Sequence, residues 1–350
     1  MSKSPFLVIT SIADDKHPVL NQYAAACQAK GVPFIVIGDV KSPNDFQLAG
    51  CDFYSIEKQL QLPHTLAREI PVKHYARKNI GYLIALQQGA EVIIETDDDN
   101  IPYESFWAPR TPKVQANKLQ DHGWVNVYKY FSETNIWPRG FPLDQVLESM
   151  KPKPETDTVA CPIQQGLADD NPDVDAIYRM VLPLPIKFLE RDPIALANQS
   201  ICPFNSQNTT WFKEAFPLLY LPSYCSFRMT DIWRSFVAQR IAWTCGWSIL
   251  FHNATVYQIR NEHNIMKDFE DEIPGYLNNS SIMKGLNALN LLDGVENIYT
   301  NLTLCYEELV RQGVVDAKEL ALLDCWIQDM QALFNRNGLT LIGGITFLPS

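Results

Sequence analysis

The sequence predicts an α/β fold with a helical extension, and three observations predict it. In the first hundred residues, short uninterrupted β-branched runs alternate with stretches of helical spacing; such runs suit strands covered on both faces. The first three segments read strand, helix, strand, a βαβ opening. From about residue 282 onward the pattern turns helical and stays so.

Taken in order, residues 6–11 read as the first strand, and residues 17–30 as an amphipathic helix that stops at Gly31. Residues 32–38 form a second buried strand ending at Asp39. The turn between the first strand and its helix contains no glycine. Neither the dinucleotide fingerprint nor the P-loop is present, which disfavours a Rossmann dehydrogenase and a P-loop NTPase. A helix opens at Lys73 and carries Ile80, Leu83 and Ile84 on one face as far as Gly89. Val92, Ile93 and Ile94 make the next buried strand.

Further on, residues 124–131 look like a strand, and the proline-rich residues 137–193 look irregular, wrapping the sheet. Residues 203–210 crowd Asn205, Gln207 and Asn208 into one turn. Residues 226–242 read as a helix, residues 247–251 as a last strand, and residues 307–311 and 317–333 as amphipathic helices. The expected organisation is a catalytic domain over residues 1–275 and a helical extension over residues 276–350.

A net charge of −11 over 350 residues argues against broad nucleic-acid binding. The eight cysteines are scattered with no Cys-x-x-Cys pair, which fits reduced, packed thiols better than a disulfide framework or a zinc site. No run reaches membrane-spanning length, and the opening residues lack the features of a secretory signal. The expected setting is cytoplasmic, with no integral membrane segment; self-association into homo-oligomers is left open.

The chemistry concentrates where the third strand ends in Thr96-Asp97-Asp98-Asp99-Asn100. Strand carboxyl ends in such sheets open onto the ligand crevice. If the chain stays extended, Asp97 and Asp99 point one way and Asp98 the other. Two carboxylates in one small volume repel, and a divalent cation such as Mg²⁺ or Mn²⁺ with substrate phosphates is the usual way to keep both ionised. The plainer readings are a solvated acidic turn, or Asn100 capping a helix that starts near Pro102. Lys73, Arg77 and Lys78 sit at a helix start, where the macrodipole disfavours cations; an anionic ligand would resolve the mismatch, and a diphosphate between metal and basic groups fits best. Asp39 and Lys41 end the second strand, where a nucleoside contact and ordinary turn chemistry are equally open. Asp231, near a helix start and flanked by Arg228 and Arg234, is either a cap or an oriented carboxylate base.

Taken together, Arg77-Lys78-Asn79, the aspartate run, Arg139-Gly140-Phe141-Pro142, the segment Pro-Asp-Val-Asp-Ala-Ile-Tyr at 172–178, Asn205-Ser206-Gln207-Asn208 and the Phe-Arg-x-x-Asp-Ile-Trp-Arg segment at 227–234 resemble the STELLO-type glycosyltransferases over residues 5–275. More distantly they are similar to the reversibly glycosylated polypeptides, the UDP-arabinopyranose mutases. The resemblance implies a GT-A nucleotide-diphospho-sugar transferase fold, an open, mostly parallel αβα sandwich, and a Mn²⁺- or Mg²⁺-dependent glycosyltransferase using a nucleotide sugar, with UDP the expected nucleotide and the acceptor unspecified.

Carried over by position, the resemblance makes Asp97 and Asp99 metal ligands, with His263 as a further ligand and His252 in reserve. Thr10, Ser11, Asp39, Lys41, Arg77, Lys78, Asn79, Asp98, Asn205, Gln207 and Arg228 become nucleotide-sugar contacts, and Asp231 and Arg139 catalytic residues. The alternatives are a UDP-sugar mutase or self-glycosylating protein with Arg139 accepting the sugar, and a non-catalytic scaffold. Val146 stands where the mutases carry a second arginine, which weakens the first alternative. STELLO-type proteins are membrane-anchored at the Golgi as a family, and no such anchor is read in these residues.

Overall fold

The structure is a computed structural model, and it describes residues 5–147, 152–259 and 264–336. In chain order the strands are β1 (Phe6–Thr10), β2 (Phe34–Ile37), β3 (Asp52–Tyr54), β4 (Val92–Thr96), β5 (Asn100–Pro102), β6 (Lys113–Leu119), β7 (Gly123–Trp124), β8 (Glu155–Ala160), β9 (Ile163–Asp169), β10 (Ile194–Leu196), β11 (Ser200–Ile201), β12 (Asn208–Phe212) and β13 (Ile249–Gln258). The helices are α1 (Pro18–Lys30), α2 (Ile56–Leu60), α3 (Leu66–Glu69), α4 (Lys78–Gln87), α5 (Ala176–Val181), α6 (Thr230–Thr244), α7 (Ile265–Ala288), α8 (Ile298–Arg311) and α9 (Glu319–Arg336).

One sheet of 11 strands forms the middle layer, in the order β3-β2-β1-β4-β12-β9-β13-β10-β6-β8, with β5 added beside β13. β3, β2, β1 and β4 are parallel neighbours. β12 then runs against both β4 and β9, while β9 and β13 are again parallel. The chain leaves β1 toward β2 on one side and returns to β4 on the other. That reversal is the switch point at which open α/β sheets hold ligands. The expected α/β sandwich is what is found.

Alternation along the strands builds the two outer layers. Leu7, Ile9, Phe34, Val36 and Ile94 face α1, while Phe6, Val8, Ile35, Ile37 and Ile93 face α4 and the C-terminal helices. α4 approaches closely because position 81 is glycine: a Cβ there would stand 2.5 Å from Val8 Cγ1. Gly31 ends α1 at φ 65°, in the left-handed region that favours glycine.

Three expectations need correcting. Residues 124–131 are not a strand; a 3₁₀ turn at Val127–Tyr130 follows the two-residue β7. The stretch 137–193 is not simply irregular, for it holds β8, α5 and β9, and β9 lies fully buried inside the sheet. Its polarity hid it: Gln164 and Gln165 break the apolar pattern yet are satisfied by carbonyls of Thr111, Cys161 and Asn208. The helical part also starts earlier than residue 282, since α7 begins at Ile265 and runs through position 275.

Candidate functional site

The carboxyl ends of β1, β2, β4, β9 and β13 and the start of β12 line one edge of the sheet, and two adjoining cavities open there. The first, about 360 Å³, is lined by Thr10, Ser11, Asp39, Lys41, His74 and Tyr75 among others. The second, about 430 Å³, is lined by Asp97, Asp98, Asp99, Arg139, Asp173 and Asp231 among others. Thr10, Ile12, Tyr75, Asp98 and Phe227 belong to both walls. The volumes are within the usual range for small-molecule sites.

The aspartates do not continue as an extended strand. The Asn100 N–H donates to the Asp97 carbonyl, closing a turn before β5 begins. The turn carries all three carboxylates into the second cavity. Asp98 accepts a short hydrogen bond from the Ser11 hydroxyl, tying the ends of β1 and β4 together. Asp99 accepts from Gln258 Nε2 at 2.9 Å, at the end of β13. Asp97 Oδ1 pairs with Lys78 Nζ at 2.8 Å. Burial raises the Asp97 carboxyl to about 6, with Asp99 reinforcing the rise and Lys78 opposing it.

Arg77 and Lys78, expected to face a diphosphate, turn inward. Lys78 is fully buried and donates to Asp97, to the Thr96 carbonyl at 3.0 Å and to the Ser206 carbonyl at 3.5 Å. Arg77 touches the first cavity, but its guanidinium grips Gln59 Oε1 at 2.6 and 2.8 Å and the Ile70 carbonyl at 2.9 Å. These acceptors offset cations that the helix start disfavours. Asn79 also lies inside, clamping the Leu221 backbone through both ends of its amide.

The β12 side supplies Gln207 on the cavity wall and Asn205 behind it, whose Nδ2 donates to Asp173 at 2.9 Å. Arg139 is held between two carboxylates. Nε and Nη2 donate to Asp173 at 2.8 Å each, Nη1 and Nη2 donate to Asp231 at 3.1 and 3.0 Å, and Nη1 also reaches the Arg228 carbonyl. A guanidinium has five N–H groups, so none is left over. Gly140 lets this segment approach α6: at φ 86°, a Cβ there would stand 2.4 Å from Ile232 Cγ2. Asp231, in the first turn of α6, accepts from the Ser206 N–H and the Tyr75 hydroxyl as well. Although burial works the other way, Arg139 holds the Asp231 carboxyl down to about 2.

The family model described as STELLO glycosyltransferases matches residues 228–341. The chain is similar to the STELLO glycosyltransferases. Probable glycosyltransferase STELLO2 of Arabidopsis thaliana is 27% identical over 336 residues, covering 90% of this chain and 43% of that protein. Probable glycosyltransferase STELLO1 of the same plant is 26% identical over 339 residues, covering 91% of this chain and 43% of its own length. The chain therefore spans less than half the length of these relatives. A crystal structure of a mycobacterial protein overlaps 80% of this chain and 76% of its own, at 12% identity and a TM-score of 0.41.

The STELLO-like segments named from sequence thus meet at one sheet edge, with exceptions. His263 lies outside the described residues. His252 is not beside the aspartates: across the bulge in β13 it lies about four strand positions, roughly 13 Å, before Gln258, and its ring lies against Gly166. Burial and the nearby Arg110 push it down to about 3. Three residues of the site had no role from sequence. Asp173 sat within the quoted 172–178 segment, a signal that was available. Phe227 likewise headed the 227–234 segment, whereas Tyr75 carried no pattern; here His74 and Tyr75 stack at 5.5 Å and Phe227 packs edge-on against both, at 5.2 and 4.9 Å.

Among the described residues no three metal-ligating side chains form a cluster, and no helix is long and apolar enough to cross a membrane. The donor set at the aspartate turn still fits a hard divalent cation. It offers carboxylate oxygens on an open wall, and such cations keep much of their shell for water and phosphate.

Proposed function

We propose that this chain is a metal-dependent glycosyltransferase that takes its sugar from a nucleotide sugar, with UDP the expected nucleotide. The carrying observation is the pair of joined cavities at the switch point of the sheet, one bordered by Thr10, Ser11, Asp39 and Lys41, the other by the aspartate turn. The nucleoside would occupy the first and the sugar and acceptor the second. Asp97 and Asp99 would hold Mn²⁺ or Mg²⁺, which when bound offsets charge on the diphosphate leaving group. Arg228, on the second wall with its Nε and Nη2 on Glu272, would turn its remaining donors to that diphosphate. Asp231, ionised and oriented by Arg139, Tyr75 and Ser206, would accept the hydrogen bond of the acceptor hydroxyl and take its proton as negative charge develops. The eight unpaired thiols agree with the reducing, cytoplasmic setting that forms part of this proposal.

Self-glycosylation at Arg139 draws no support from this arrangement. The guanidinium is saturated with acceptors, and its neighbours Asp173 and Asp231 hold its proton more firmly than usual.

Calorimetry with UDP in the presence and absence of Mn²⁺ tests the reading. Wild-type chain should bind UDP with metal, and Asp97→Asn should weaken that binding by at least about tenfold. Equal affinity in the variant would overturn the metal assignment. Intact-mass measurement after incubation with UDP-sugars should show no stable hexose or pentose adduct.

A further inference from the structure

The face of the sheet that carries α1 has a third cavity, of about 410 Å³, near the opposite end of β4. Val92 opens β4 and lines this cavity, whereas the aspartate turn follows the strand's last residue, about 15 Å farther along at the usual strand rise. Ile94 and its register partner Thr210 form the floor, and Val32, Phe106 and Trp107 form apolar walls. Two cations border it. Lys30 is already compensated, 2.9 Å from Glu104 and 5.8 Å from the centre of the Trp107 ring. Arg110 is not. Its one hydrogen bond runs from Nη1 to the Phe106 carbonyl at 3.0 Å, and no carboxylate pairs with it among the described residues. Burial alone lowers its pKa to about 10, and the neighbouring imidazole of His252 is depressed by burial first and by the arginine's charge second.

A half-buried guanidinium with spare donors and no counter-charge is costly where nothing answers it. An oxyanion set against the spare donors would answer both the charge and the fork geometry. The aromatic and branched walls supply contact area for an apolar body next to that charge. We propose that this cavity is a second ligand site, separate from the aspartate crevice, for a small organic anion: a carboxylate or phosphate on Arg110 with an aromatic or branched body against Trp107 and Ile94. The proposal does not depend on the transferase reading.

Phenyl phosphate, benzoate, inorganic phosphate and neutral phenol are suitable probes, titrated calorimetrically into the full chain. Phenyl phosphate or benzoate should bind one per chain, at least about tenfold more tightly than phenol or inorganic phosphate, because both halves of the site are then used. Arg110→Met should abolish that binding without lowering the melting temperature, since an unanswered charge is replaced by an apolar chain of similar reach. Arg110→Lys should retain a weaker affinity, and Asp97→Asn should leave it unchanged. Hydrogen exchange with phenyl phosphate should show protection over residues 104–110. Absence of saturable binding by either aromatic anion, equal affinity in Arg110→Met, or protection centred on residues 97–99 would each overturn the proposal.

Discussion

Arg139 joins two carboxylates that would otherwise repel across the second cavity. Its side chain is buried, so removing it strands both Asp173 and Asp231. Breaking a buried pair by deleting one partner costs about 3–5 kcal/mol, far more than the worth of an exposed pair. Arg139→Ala should therefore lose stability on that scale in urea unfolding, and Arg139→Lys should lose less while no longer bridging both acids. A loss below 1 kcal/mol in the alanine variant would mean that the acids find other partners. The pH dependence follows from the same contact. Asp231 titrates near 2, below the ordinary 3.8, so the folded state favours its charged form. Its stabilisation is fully present above the ordinary value and is lost as pH falls toward 2. Asp231→Asn, which lacks that stabilisation at every pH, should be less stable than wild type near neutrality, and the gap between the two should close as pH falls toward 2. Donor binding should persist in that variant while transfer drops by about 10² or more, the scale of a lost general base. Undiminished turnover would dismiss Asp231 from the chemistry.

At the scale of elements, α7 is the part of the C-terminal region that touches the site. Glu272 on α7 is fully buried; it accepts from Arg228, from the Ala176 N–H at the start of α5 and from the Tyr276 hydroxyl. The carboxylate thus fixes the arginine that borders the second cavity. On the proposed reaction, Glu272→Gln should raise the donor KM several-fold with a smaller change in kcat, because positioning of the proposed diphosphate contact is lost while Asp231 is untouched. A fall in kcat at constant KM would argue against this role. The sequence was most legible where local pattern and burial agree. β1, β2 and β4 are β-branched runs, α1 ends at a left-handed glycine, and α6 begins four residues after the read start, behind a 3₁₀ turn, so the sheet edge and most of its residues could be located. It was least legible where polar groups are satisfied at long range. Gln164 and Gln165 look like loop residues until Thr111 and Asn208 arrive from elsewhere in the chain. Lys78 looks like a surface cation because its acceptors, Thr96 and Ser206, are 18 and 128 residues away. Spacing within a segment carries no trace of either.

Over the whole molecule, the helical C-terminal part is built into the same core as the sheet's α4 layer. Trp326 on α9 is fully buried and donates to the Pro217 carbonyl at 3.0 Å. Asp329 accepts from the Thr65 and Leu66 N–H groups at 3.0 and 2.9 Å, answering donors at the start of α3 that no residue of that helix could satisfy. Glu319 gathers the Tyr220 hydroxyl and the Ser223 and Tyr224 N–H groups around one buried carboxylate. Burial raises its pKa, so these donors are what keep an anion tolerable there. Removal of α8 and α9 would leave Tyr220, α4 and α6 without part of their cover, and would remove the acceptors of the backbone donors at residues 65, 66, 223 and 224. Each large apolar side chain uncovered costs about 1.5–3 kcal/mol and each orphaned buried donor about 1–3 kcal/mol. Several of each exceed the 5–15 kcal/mol by which a native chain is stable. A chain cut after residue 288 should therefore fail to unfold cooperatively and should bind UDP no better than a denatured control, although every aspartate of the turn is retained. Circular dichroism melts of the truncated and full chains decide the matter, since a sharp transition in the truncated chain would show that the sheet and its crevice stand without these helices.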